Sequence, residues 1–89
     1  MKLSAVLEIP SIRILLYIHQ KGEIRYSELM RVVESRGTLS INLKELEEEN
    51  LIKRRVEPTK PIQSYYSLSA KGVEVAKRLE EIKKIITSK

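Results

Sequence analysis

The chain has no cysteine and no aspartate, one histidine (His19), three glycines and three prolines in 89 residues. Without cysteine there are no disulfides, thiolate zinc sites, cysteine nucleophiles or thiol redox sensing. With one histidine and no aspartate there is no Ser/His/Asp constellation and no His-rich metal cluster, so an enzyme would have to run on Glu, Lys, Tyr or Ser alone. No catalytic residue, metal site or cofactor is therefore expected. A composition 42% apolar and 33% charged, with so little Gly and Pro, is neither disordered nor collagen-like. No apolar run approaches the ~18 residues of a transmembrane helix. Residues Met1 to Glu8 carry an acidic residue and no small-residue cleavage site, so the reading is a cytoplasmic protein without a membrane partner.

Eighty-nine residues make one small domain, 1–89, since a chain of this size buries only about 60 to 65% of the surface that unfolding exposes. Seventeen Lys and Arg against twelve Glu leave a net charge of +5, which points to a polyanionic partner such as nucleic acid or serves solubility alone. The amide-poor, Glu/Lys/Ile-rich usage is similar to that of thermophile proteins.

Ile9, Ile12, Leu15, Leu16 and Ile18 recur at helical spacing, with Pro10 in a first turn and Gly22 past the end, which predicts a first helix over 9–20. Residues 1–8, with Leu3, Val6 and Leu7, either extend it or form a separate short arm. A short extended piece at Glu23–Tyr26 precedes a short second helix over 28–34, for which Ser27 is the cap candidate. Leu39, Leu43 and Leu46 place a third helix at about 36–49, so the second and third helices have the layout of a helix-turn-helix. Strand formers at 51–56 and 62–68 flank a loop holding Pro58 and Pro61, a β-hairpin whose prolines stiffen it against edge pairing. Ser69 caps a last helix over 70–87. The order α, β, α, α, β, β, α predicts an α+β, mainly α, winged helix-turn-helix with core 9–69 and an added C-terminal dimerisation helix.

Three blocks carry a family resemblance: Tyr26-Ser27-Glu28-Leu29, the run Thr38 to Glu47 continuing through Leu51-Ile52-Lys53-Arg54-Arg55, and Tyr66-Ser67-Leu68-Ser69-Ala70-Lys71-Gly72. In this order and spacing they resemble the MarR/HxlR class of bacterial and archaeal winged-helix regulators over about residues 9–75. The resemblance implies a regulator of transcription that binds double-stranded DNA sequence-specifically, as a homodimer if the C-terminal seam pairs; whether it represses or activates is not readable. Two departures stand out. Such regulators usually have Gly where this chain has Asn50, and Asn is the usual substitute at a left-handed helix cap. HxlR-type members often carry an N-terminal sensing Cys, absent here, which removes aldehyde or redox sensing; an effector is not readable.

Counting ~100° per residue from Leu39 as the inward direction, Gly37, Ile41, Lys44 and Glu48 point outward, with Thr38, Ser40 and Glu45 on the flanks. Thr38 and Ser40 are expected to offer hydroxyls, Ile41 a contact to thymine methyls, and Lys44 a phosphate or guanine contact. Gly37 admits close backbone approach, Arg36 reaches a guanine or phosphate, and Ser27 offers a phosphate contact at the second helix. The wing, 56–62, contributes Thr59 and Lys60. Strand alternation sends Arg54 opposite to Lys53 and Arg55, and Arg55 with Lys60 is taken as the DNA-facing pair. Adjacent Tyr65 and Tyr66 face opposite ways, one into the core. The run Glu45, Glu47, Glu48, Glu49 would repel phosphates and belongs outside the groove; the alternative for Glu45, Glu48 and Glu49 is a metal site. His19 is read as a surface residue of the last turn of the first helix.

Val75, Leu79, Ile82 and Ile86 form a seam over two heptads, either a dimer interface between two chains or a face folded back on the first helix. Two other classes stay open: a winged helix used as a protein-interaction or architectural module in a transcription or replication assembly, and an RNA binder.

Overall fold

Proline 10 opens the first helix, where its missing N–H leaves no bond unmade, and Gly22 closes it at φ 88° with its N–H on the Ile18 carbonyl. Between them α1, Pro10–Lys21, buries Ile14, Leu15 and Ile18. The computed structural model describes residues 2–88; Met1 and Lys89, the ends of the expected single domain, lie outside the described residues. Ahead of α1, Leu3–Glu8 form a 3-10 helix, and Ile9 between the two is extended at φ −62°, ψ 127°. The first residues are therefore a separate arm and do not extend α1.

The remaining elements are β1 (Ile24–Arg25), α2 (Tyr26–Leu29), α3 (Arg36–Glu48), β2 (Ile52–Glu57), β3 (Gln63–Leu68) and α4 (Ala70–Thr87). The strands form one antiparallel sheet in the order β1-β3-β2, with Ile24 opposite Tyr66 and Arg54 opposite Tyr66 from the other side. This is the mainly helical α+β winged-helix arrangement expected from the order of elements.

The second helix departs from expectation. Only Tyr26–Leu29 is regular, and its N-cap is Arg25, with no side-chain cap bond, so Ser27 lies inside the turn and caps nothing. The chain continues to Val33 through isolated bonds, Arg31 N–H to the Glu28 carbonyl and the Val32 and Val33 N–H groups to the Leu29 carbonyl. The apolar spacing Leu29, Val32, Val33 is thus real and all three are buried, but adjacent β-branched residues hold a helix poorly.

Ser35 starts α3: its Oγ accepts from the Thr38 N–H at 3.3 Å. Leu39, Leu43 and Leu46 are buried on one side, each contributing roughly 1.5–3 kcal/mol of burial. They meet Ile14, Leu15 and Ile18 of α1, Ile24, Leu29, Val32, Val33, Leu51, Ile52 and Tyr66 in one core.

The far end of α3 is tied as firmly. Asn50 takes φ 60°, the left-handed conformation expected of it, and the Leu51 N–H reaches the Leu46 carbonyl at 2.9 Å while the Asn50 N–H reaches that of Glu47 at 3.0 Å. Three successive carbonyls at this end are then taken up by the start of α4: Lys71 Nζ donates to Glu49 at 3.0 Å, Ser69 Oγ to Asn50, and the Ser69 N–H to Leu51 at 3.0 Å. Ser69 Oγ also caps α4 by accepting from the Gly72 N–H at 2.9 Å. A Cβ on Gly72 would lie 1.9 Å from the Leu51 carbonyl oxygen, which accounts for glycine inside the first turn of α4. The tilt of α3 is set by this knot between α3 and α4, together with its leucines.

Candidate nucleic-acid interface

With its leucines in the core, α3 turns Arg36, Gly37, Ser40, Ile41, Lys44, Glu45 and Glu48 to solvent. Ile41 is 60% exposed, an apolar group standing on an otherwise polar face. Thr38 is half-buried; its amide is spent on Ser35, and its carbonyl accepts from Asn42 Nδ2 at 2.8 Å. A Cβ on Gly37 would meet nothing within 4 Å, so packing does not require glycine there.

The Ser40 hydroxyl lies 2.8 Å from the Tyr26 hydroxyl, which at 3.4 Å also donates to the Arg36 carbonyl. Tyr26 therefore braces the first turns of α3 from α2, a link that sequence spacing did not signal. Ser27 is exposed and lines a cleft of about 260 Å³ with Arg25, Tyr26, Ile62, Gln63 and Ser64, between α2 and the wing.

The hairpin distributes its cations by strand parity. Ile52 is buried under α3, so Arg54, two residues on, keeps that face and lines a groove of about 390 Å³ with Ser40, Lys44, Glu47, Ser64 and Tyr66. Arg55 takes the opposite face. Its Nη2 donates to Glu23 Oε1 and its Nη1 to Glu57 Oε1, both at 2.7 Å, and its guanidinium stands 4.4 Å from the centre of the Tyr65 ring. The hydrogen bond from Arg55 holds the Glu23 carboxyl below its ordinary range. Arg55, the expected DNA contact, is thus paired with Glu23 just ahead of β1 and with Glu57 of its own strand, and Arg54 is the strand arginine beside Lys44. The parity of Ile52 is the sequence signal for this side of the strand.

Tyr66 is the core member of the tyrosine pair, and burial pushes its hydroxyl pKa up against the opposing pull of Arg54. Tyr65 is half-buried under Arg55. In the wing, Thr59 Oγ1 donates to the Pro61 carbonyl at 2.9 Å, so this hydroxyl serves the loop itself, whereas Lys60 is exposed. Glu45, Glu48 and Glu49 are exposed and Glu47 half-buried, towards the end of α3 away from Arg36. His19 is half-buried in the last turn of α1.

The C-terminal seam divides in two. Val75 and Leu79 pack against the core of their own chain, with Ala76 fully buried beside them. Farther along, Ile82 is 43% and Ile85 74% exposed, and Ile86 is half-buried. The heptad reading passed over Ile85, which falls between its positions.

Among the described residues, no helix is long and apolar enough to cross a membrane. Comparison with known proteins agrees with the architecture. The chain is 43% identical over 68 residues to the uncharacterised HTH-type transcriptional regulator YvaP of Bacillus subtilis (strain 168), a match covering 74% of this chain. The chain spans only 63% of that relative's length. A solved structure assigned to the MarR family of transcriptional regulators, from Porphyromonas gingivalis W83, superimposes with a TM-score of 0.71 at 32% identity, covering 81% of this chain and 72% of the other. A transcriptional regulator homologue from Pyrococcus horikoshii OT3 shares the fold, at 22% identity, with a TM-score of 0.75 over 94% of this chain and 87% of the other. The family model for HxlR-like helix-turn-helix proteins matches residues 11–89, and the chain belongs to that family.

Proposed function

We propose that the protein is a homodimeric transcriptional regulator that binds double-stranded DNA sequence-specifically. One observation carries this reading: α3 is clamped at both ends and along its leucine face, yet presents Arg36, Ser40, Ile41 and Lys44 to solvent beside Arg54 of the hairpin. A rigid helix with polar, cationic and methyl-contacting groups at its N-terminal half suits the major groove, where such groups distinguish base edges. The wing then lies on the minor groove or the backbone. The acidic end of α3 stays outside the groove, where its charge repels no phosphate.

Selection of bound sequences from random duplexes tests this directly. Enrichment of a paired half-site is expected, with affinity falling with salt at a slope of about −0.9 per phosphate neutralised. A chain that enriches no duplex and instead retains a protein partner is an interaction module, and the reading is wrong.

A single domain of this size neutralises few phosphates, and two copies ~34 Å apart read both half-sites of a palindrome. The free isoleucines of α4 supply the contact between copies. The pairing surface is its last two turns, around Ile82, Ile85 and Ile86, because Val75 and Leu79 are occupied within the chain. Ile82→Glu with Ile85→Glu is expected to halve the mass in sedimentation while the far-ultraviolet circular dichroism stays that of the parent. An unchanged mass removes this interface.

A further inference from the structure

The wing carries an apolar residue where electrostatics alone would place a cation. Ile62 is 73% exposed, next to Pro61 and two residues from the exposed Lys60. Isolated exposed aliphatics are ordinary on protein surfaces, but this one is held on both sides. Thr59 Oγ1 donates to the Pro61 carbonyl at 2.9 Å on one side, and Arg25 Nη1 donates to Gln63 Oε1 at 3.4 Å on the other. Pro58 and Pro61 further limit the backbone, so burying Ile62 against a partner costs little ordering of the loop.

Directly beside it runs the cleft lined by Arg25, Tyr26, Ser27, Ile62, Gln63 and Ser64. Arg25 offers a guanidinium, Ser27 and Ser64 hydroxyls and Gln63 the NH2 of its amide, and none of the lining residues is a carboxylate. Such a lining fits a sugar-phosphate strand, which is anionic along one edge and accepts hydrogen bonds throughout. A strand seated there has Ile62 at its lip, facing the groove that the strand borders.

The geometry points to Ile62 as a wedge: with one DNA strand held in the cleft between α2 and the wing, its side chain enters the minor groove and opens a base step, bending the duplex. The inference rests on the DNA-binding reading above and adds a specificity term to it. Apolar wedges part stacked bases most readily at pyrimidine–purine steps, so the wing selects flexible steps at positions that α3 never touches. Lys60 then serves a backbone phosphate.

The test uses the full chain, duplexes selected by it from a random pool, and the variants Ile62→Ser and Ile62→Leu, both on an exposed loop. Bending is read by energy transfer between fluorophores at the duplex ends. The parent and the leucine variant are expected to bend the selected duplex by about 20° or more and to enrich pyrimidine–purine steps flanking each half-site. The serine variant should bind that duplex about five- to tenfold more weakly, leave it straight and lose the flanking enrichment while keeping the half-site that α3 reads. A serine variant that bends DNA as the parent does, or a parent that leaves the duplex straight, overturns the wedge and leaves the DNA-binding reading intact. A parent that enriches no duplex overturns that reading and the wedge with it.

Discussion

Alanine at position 72 is expected to destabilise the domain by about 3 kcal/mol, a fall of roughly 12–24 °C in melting temperature for a chain of this length. The added Cβ would lie 1.9 Å from the Leu51 carbonyl oxygen, a backbone atom with no rotamer by which to withdraw. That carbonyl also accepts the Ser69 N–H at 3.0 Å, and the adjacent Asn50 carbonyl accepts the Ser69 hydroxyl, so moving it unfastens the knot between α3 and α4. Gly37→Ala is the control. Its new methyl meets open space, and alanine in place of glycine within a helix gains up to about 1 kcal/mol. Thermal unfolding followed by circular dichroism measures both; a Gly72→Ala protein melting within a few degrees of the parent would show that the close approach is not what holds α4 on α3.

Lys44→Ala with Arg54→Ala is expected to lower duplex affinity about 100-fold and to flatten the salt dependence by about two phosphates' worth of slope. Both cations line the groove between α3 and the hairpin, with Glu47 the only carboxylate among its lining residues. Arg55→Ala, one residue away, is expected to change affinity no more than about twofold, as its charge is already matched by Glu23 and Glu57 at the surface. Titration of a fluorescent selected duplex at several salt concentrations separates the two cases. Arg55→Ala weakening binding more than Arg54→Ala does would mean that the outer face of the sheet, and not the face shared with α3, meets DNA.

The contrast between these two arginines shows where the sequence stops being legible. Alternation along the strand separates Arg54 from its neighbours, but which face meets α3 depends on Ile52 being buried there and on its pairing with Leu68. Once that register is known, the choice follows. Helix α3 was readable because Leu39, Leu43 and Leu46 recur at helical spacing and Asn50 marks its end, as Ser69 marks the start of α4, by local chemistry. The second helix was readable in its apolar positions and not in its form, since Leu29, Val32 and Val33 are buried equally well by a loose run of turns.

The C-terminal helix carries the same lesson in its packing. Its span from Ala70 to Thr87 follows from a serine cap and periodic aliphatics, yet Val75, Leu79, Ile82 and Ile86 look equivalent along the chain. They are not equivalent in space: Val75 and Leu79 pack against the core, whereas Ile82 is exposed and Ile86 only half-buried.

Local chemistry by itself determined the order of the elements and the caps at Gly22, Asn50 and Ser69, though not the form or the cap of the second helix. It also determined that α3 has one apolar and one polar side. Only the tertiary structure decided that Tyr26 braces Ser40, that Arg55 is tied to Glu23 and Glu57, that Arg54 stands with Lys44, and that Ile62 borders a cleft. Each of these is a meeting of side chains from separate elements, and the crossing of those elements is set by the packed leucines and the carbonyl knot between α3 and α4, which no spacing along one segment encodes.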